Sequence, residues 1–163
     1  MVRLLTPPVA SLFARQHGIA SRSQLRSAGL TDRQIGGAVA RGELERVAAR
    51  VYRLAGAPDA APVVEVVACL ATGWLLSHAS AGRHWRMPRI TDRRVHVTVS
   101  GFRSRGPLGV VVHRRPIHPS DLVDLGDGRR VTSPARTLAD LAAGLPFDDV
   151  RAAADHVRRE FCG

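Results

Sequence analysis

The chain has 163 residues, 45% of them apolar and only seven aromatic, which is room for one ordinary domain or two small ones around an aliphatic, alanine-rich core. All 24 basic residues are arginine, and the absence of lysine excludes a Walker A phosphate loop, a Schiff base and a lysine-dependent nuclease centre. The net charge of +10 points to a polyanion and is uneven: +5 over residues 1–60, +7 over 61–120 and −2 over 121–163. A GC-rich coding sequence would also enrich arginine, so the location of the charge says more than its total.

Val9, Leu12, Phe13 and His17 have helical spacing over 8–18, with Pro8 at the start and Gly18 at the end. Ser21 caps a second short helix that buries Leu25 and stops at Gly29. Thr31 caps a third, with Asp32 at its positive end, Ile35 and Val39 on one face and Gly42 closing it. Leu44–Val47 and Arg50–Leu54, around Ala48-Ala49, predict a hairpin that carries arginines. Gly56 to Pro62 is the candidate linker.

Three short helices followed by a basic hairpin is the plan of a helix-turn-helix with a wing. The third helix would enter the major groove by its N-terminal residues. Arg33 and Gln34, on its first turn, are candidates for base edges. Arg46, Arg50 and Arg53 on the wing suit phosphates, and Arg22 and Arg41 complete the candidate DNA-binding set. The competing reading is a small three-helix core with solvated arginines.

Beyond the linker, Pro62–Ala71 predicts a helix, and Ser77 starts another that runs to Trp85, its small residues Ala79 to Gly82 implying a close neighbour. Arg94–Val99 alternates as a strand with His96 on its open face, and Val110–Arg115 is a second strand. The basic segment Gly101–Gly109 joins the two as a mobile loop. Asp121–Leu125 and Arg129–Thr132 read as a hairpin about Gly126-Asp127-Gly128. Ser133-Pro134 is a strong helix start, and Arg136 near it needs an acid partner, with Asp140 one turn on. The last helix has Asp148-Asp149 at its start and Arg158-Arg159 at its end.

No metal site is expected. His78 and His84 are six apart and His113 and His118 five apart, which is not the adjacent-turn spacing of a helical zinc pair. Ser77-His78 is no triad, and Asp121, Asp124 and Asp127 read as a solvated edge. Arg83, Arg86, Arg89, Arg93 and Arg94 would extend a nucleic-acid face. Cys69 and Cys162 form no disulfide framework. With no run of the roughly 18–20 apolar residues that a membrane helix needs and no signal-peptide pattern, a reduced cytoplasmic protein is expected.

Several strings resemble AbiEi-type antitoxins of type IV toxin–antitoxin systems. Ala14-Arg15-Gln16-His17-Gly18-Ile19-Ala20-Ser21-Arg22-Ser23-Gln24-Leu25 is similar to the opening of that family, as are Gly42-Glu43-Leu44-Glu45-Arg46-Val47 and Val51-Tyr52. Leu76-Ser77-His78-Ala79-Ser80-Ala81 with Trp85, the strand Arg94–Val99, Val112-His113-Arg114 and the string Val131–Ala142 follow in family order. The resemblance implies a winged-helix module followed by an antitoxin domain. It also implies repression of its own operon and, as functional partner, a nucleotidyltransferase-like toxin without a stable complex. Two positions depart from the family: Gly36-Gly37 stand where relatives carry large polar residues, and Arg50 stands where a wing glycine is common. Longer relatives continue further, some into a nuclease domain like that of very-short-patch repair, so a short or truncated member is expected.

The chain is therefore expected to be α+β, with a winged helix over 1–58 and a mixed α+β antitoxin-like domain over 59–163. Its expected function is that of a DNA-binding autorepressor, neither an enzyme nor cofactor-dependent. The alternatives are a non-catalytic remnant of a nuclease-fused relative and a purely protein-binding antitoxin domain.

Overall fold

The computed structural model describes residues 4–59, 62–99 and 109–161. Most of the segment Gly101–Gly109, with its Arg103-Ser104-Arg105, and Cys162 lie outside them. The protein is α+β and divides into two compact units. One runs to Gly73 and includes Gly126–Arg129; the other is formed by Trp74–Leu125 and the chain from Arg130.

The first unit contains α1 (Pro7–Arg15), β1 (Ile19–Ser21), α2 (Arg22–Ser27), α3 (Asp32–Ala40), β2 (Leu44–Ala48), β3 (Val51–Leu54) and α4 (Pro62–Thr72). Its three strands are antiparallel in the order β1-β3-β2. Three helices, an early strand and a terminal hairpin make the winged helix-turn-helix arrangement. Val9, Leu12, Phe13, Leu25, Leu30, Ile35, Leu44 and Tyr52 form its core.

The expected helix over 8–18 ends at Arg15. His17 (φ 53°) and Gly18 (φ 78°) both turn left-handed there, which reverses the chain into β1. A side chain at Gly18 would put its Cβ 2.4 Å from that of Ala57, so glycine answers both the backbone and the close approach. Strand β1 has three residues, all buried, and so shows no alternation in the sequence. The hairpin is offset by a bulge between Arg46 and Ala48, which leaves Val47 38% exposed. The expected boundary at 58/59 differs from the division after Gly73 because Val66 of α4 packs with Ile19 and Val51 of the first unit's sheet.

The second unit contains β4 (Leu75–Leu76), α5 (His78–His84), β5 (Val95–Val99), β6 (Val110–Arg114), β7 (Leu122–Asp124), β8 (Arg130–Thr132), α6 (Pro134–Ala142) and α7 (Phe147–Phe161). The sheet order is β6-β5-β4-β8-β7. Its β5–β6 and β4–β8 pairs are parallel, and its β4–β5 and β7–β8 pairs antiparallel. The small residues of α5 do serve close packing: a Cβ on Gly82 would stand 3.2 Å from both Ile90 and Leu141. Met87, Leu141, Ala153 and Val157 form the helical core, and Trp85 Nε1 donates to the Thr132 carbonyl at 2.8 Å. His96 corrects the sequence expectation of an open strand face. It is buried like its neighbours Val97 and Thr98, because β5 lies inside the sheet and Ser80 of α5 accepts the His96 N–H at 2.9 Å. Among the described residues no helix is long and apolar enough to cross a membrane.

Candidate nucleic-acid interface

Helix α3 begins with a reciprocal cap. Thr31 Oγ1 accepts from Gln34 N, while Gln34 Oε1 accepts from Thr31 N at 2.7 Å and from Thr31 Oγ1 at 2.9 Å. Two N-terminal N–H groups are satisfied this way. The sequence reading made Gln34 a base reader; in the structure its carbonyl is engaged in the helix start, and its NH2 is the group left for a further contact. The signal was present, since Thr31 and Gln34 have the capping-box spacing. Arg33, beside it, is exposed and has no hydrogen-bond or ion-pair partner among the described residues. Gly36 leaves open space where a Cβ would stand. An open groove of about 650 Å³ runs past Arg33, Gly36, Gly37 and Arg41.

The remaining candidates divide by what already holds them. Arg22 Nε donates to Asp32 Oδ1 at 2.9 Å, and that hydrogen bond holds the Asp32 carboxyl below its ordinary range. Arg41 grips Glu43 through two bonds of 2.9 Å. Arg53 is the least accessible, with its side chain 20% exposed and its Nη2 on Asp59 Oδ1 at 2.9 Å and on the Ala57 carbonyl. The sequence reading gave Arg53 to phosphate; in the structure its guanidinium braces the segment that follows the wing. Arg46 and Arg50 are exposed and unpartnered among the described residues. Arg50 sits at the hairpin tip with φ 59°, and its carbonyl accepts the Arg22 N–H at 2.7 Å, tying the tip to the start of α2.

The Arg22–Asp32 pair is exposed and screened by solvent, so it holds Arg22 only weakly. Arg26 was missed: its side chain is 64% exposed and lies 4.0 Å from the same Asp32 carboxylate. Its place four residues after Arg22 put it on the same helix face. Together with Arg50 these side chains line a second open pocket of about 520 Å³.

In the second unit the expected Arg136–Asp140 pair is present, Nε to Oδ1 at 2.9 Å, and Arg136 also holds Asp121 at 2.9 Å. The arginine cluster expected to extend a nucleic-acid face is largely committed within that unit. Arg83 binds the Asp92 and Arg94 carbonyls, Arg89 pairs with Asp149 and Arg94 with Asp92. Asp121 pairs with Arg136, and Asp127 pairs with Arg129.

Residues 8–55, which span α1 to β3, match a family described as transcriptional regulator, AbiEi antitoxin. This is the family that the sequence strings resemble. A solved structure, the RV2827C protein from Mycobacterium tuberculosis, is similar at 20% identity with a TM-score of 0.45, over 96% of this chain and 70% of that one. No curated protein matches the chain.

Proposed function

We propose that this chain, whose residues 8–55 carry an AbiEi antitoxin regulator module, binds duplex DNA at its own promoter and represses a toxin–antitoxin operon. The reading is supported by one observation above others. The exposed first turn of α3 and the exposed hairpin each carry arginines with no protein partner among the described residues: Arg33 on the helix, Arg46 and Arg50 on the wing. A helix start offers base-reading reach to Arg33, and the wing arginines would neutralise phosphates. The functional partner would be a nucleotidyltransferase-like toxin, countered in the cytoplasm without a stable complex. The protein would act by binding, not by catalysis.

The test is a mobility-shift titration of the upstream DNA against random duplex at several salt concentrations. Specific retention that weakens steeply with salt, as counterion release requires, is the expected result. Equal affinity for both DNAs would overturn the promoter claim.

A further inference from the structure

Asp32, the first residue of α3, stands where arginines of two other segments meet: Arg22 and Arg26 of α2, and Arg50 at the hairpin tip. Arg22 Nε donates to Asp32 Oδ1 at 2.9 Å, and Arg26 Nε lies 4.0 Å from the same oxygen. Arg50 borders the same open pocket of about 520 Å³, which Leu70 of α4 also lines. Three guanidinium groups therefore share one carboxylate, the single acid among the described lining residues.

The backbone holds these charges together against their repulsion. Arg22 and Arg26 are four apart on α2, on one face of the helix, where like charges repel. Arg50 is brought beside them through the main chain, since its carbonyl accepts the Arg22 N–H at 2.7 Å. Its φ of 59° is a left-handed backbone that glycine adopts more easily, so this position carries its cation at a conformational cost. Donors are in surplus. Asp32 engages Arg22 through Nε and leaves the Nη end of that guanidinium open. The guanidinium groups of Arg26 and Arg50 make no hydrogen bond among the described residues.

We propose that Arg22, Arg26 and Arg50 hold one backbone phosphate of the duplex, and that Asp32 is a built-in competitor which this phosphate displaces from Arg22. The inference rests on the duplex binding proposed above and adds to it one contact and one brake. A phosphodiester offers two free oxygens, which match the parallel N–H groups of a guanidinium. The exposed Arg22–Asp32 pair is screened by solvent, and a phosphate meets three cations where Asp32 bonds one. Continuity selects DNA as the source of the phosphate: Asp32 precedes Arg33 on α3, and Arg50 shares the wing with Arg46. A plain surface ion pair would give Arg26 and Arg50 no common ligand and would leave Asp32 without effect on DNA affinity.

The test is a fluorescence-anisotropy titration of the full chain with random duplex and with its upstream DNA, between about 50 and about 200 mM salt. Arg26→Ala should weaken both DNAs alike and lower the salt slope by about one, so that the affinity lost over this range shrinks about 3.5-fold. Asp32→Asn should do the opposite and tighten both DNAs severalfold, a gain that shrinks when Arg22→Ala is added. Asp148→Asn removes the same charge from an exposed carboxylate of the second unit and should change neither. Where Asp32→Asn does not fold, the slope of Arg26→Ala decides. An unchanged slope in Arg26→Ala, unchanged or weaker binding by Asp32→Asn, or an equal gain from Asp148→Asn overturns the proposal. One-to-one binding of inorganic phosphate that Arg26→Ala abolishes, with the duplex slope unchanged, assigns the pocket to a free phosphate and overturns it as well. The phosphate site is read from the slope on random duplex and the promoter claim from the preference for upstream DNA, so each can fail alone.

Discussion

Arg33 and Gln34 are neighbours on the first turn of α3, the one exposed and the other engaged in the helix cap. Arg33→Ala should relax base preference at one or two positions by about 1–3 kcal/mol and leave the melting temperature in place, as operator-variant titrations and a thermal melt would report. Gln34→Ala should do the reverse, costing about 1 kcal/mol of stability through the lost cap. On the wing, Arg46→Ala and Arg50→Ala should weaken every DNA sequence alike and lower the salt slope by about one each. Arg53→Ala should act mainly on stability, because its guanidinium holds Asp59 and the Ala57 carbonyl. In the second unit Arg136→Ala should lower the melting temperature and leave DNA affinity unchanged, since it would strand the buried Asp140 and free Asp121.

At the scale of elements, glycine-to-alanine replacements should have opposite signs at two places. Gly36 lies within α3 with open space at its Cβ position, so Gly36→Ala should add about 1 kcal/mol, a rise of roughly 2–4 °C for a chain of this size. Gly18, left-handed and 2.4 Å from the Ala57 Cβ at the would-be Cβ, should lose at least about 1–3 kcal/mol as alanine. Differential scanning calorimetry of the two variants separates a glycine that only spares a side chain from one that turns the chain. The same turn explains why the first helix stops at Arg15 instead of using the helical spacing as far as His17.

At the scale of the whole molecule, the first unit reaches past the winged helix proper. A 1–58 fragment would leave Ile19 and Val51 without Val66, which covers them in the full chain. A 1–73 fragment should therefore melt at a higher temperature than a 1–58 fragment, and equal melting would show that α4 adds nothing. Acid should act on the same unit through Asp127. Burial alone would raise that carboxyl, but hydrogen bonds from Arg129 outweigh it and hold it below the ordinary range. Its contribution is thus full above the unfolded carboxylate value near 4 and is lost as the pH falls through the lower folded value. Asp127→Asn should flatten the acid limb of the stability profile.

The sequence by itself determined whatever depends on neighbours within a turn or two: the starts of α2, α3 and α6 at Ser21, Thr31 and Ser133, and the Arg136–Asp140 pair. It also placed the arginine-bearing hairpin and carried the strings shared with the AbiEi family. These are local interactions, whose partners are three or four residues apart and visible as spacing. Strand β1 and the two-residue β4 were not legible, because such short segments exist only through partners such as Val51–Arg53 and Val97–Thr98. Arg53 gave no sign of its partners in the loop beyond the wing, nor Arg22 of a carboxylate ten residues on. The meeting of His78, His96 and His113 was hidden most completely. Linear spacing set them apart, and only the parallel pairing of β5 with β6, with α5 packed on β5, made them neighbours.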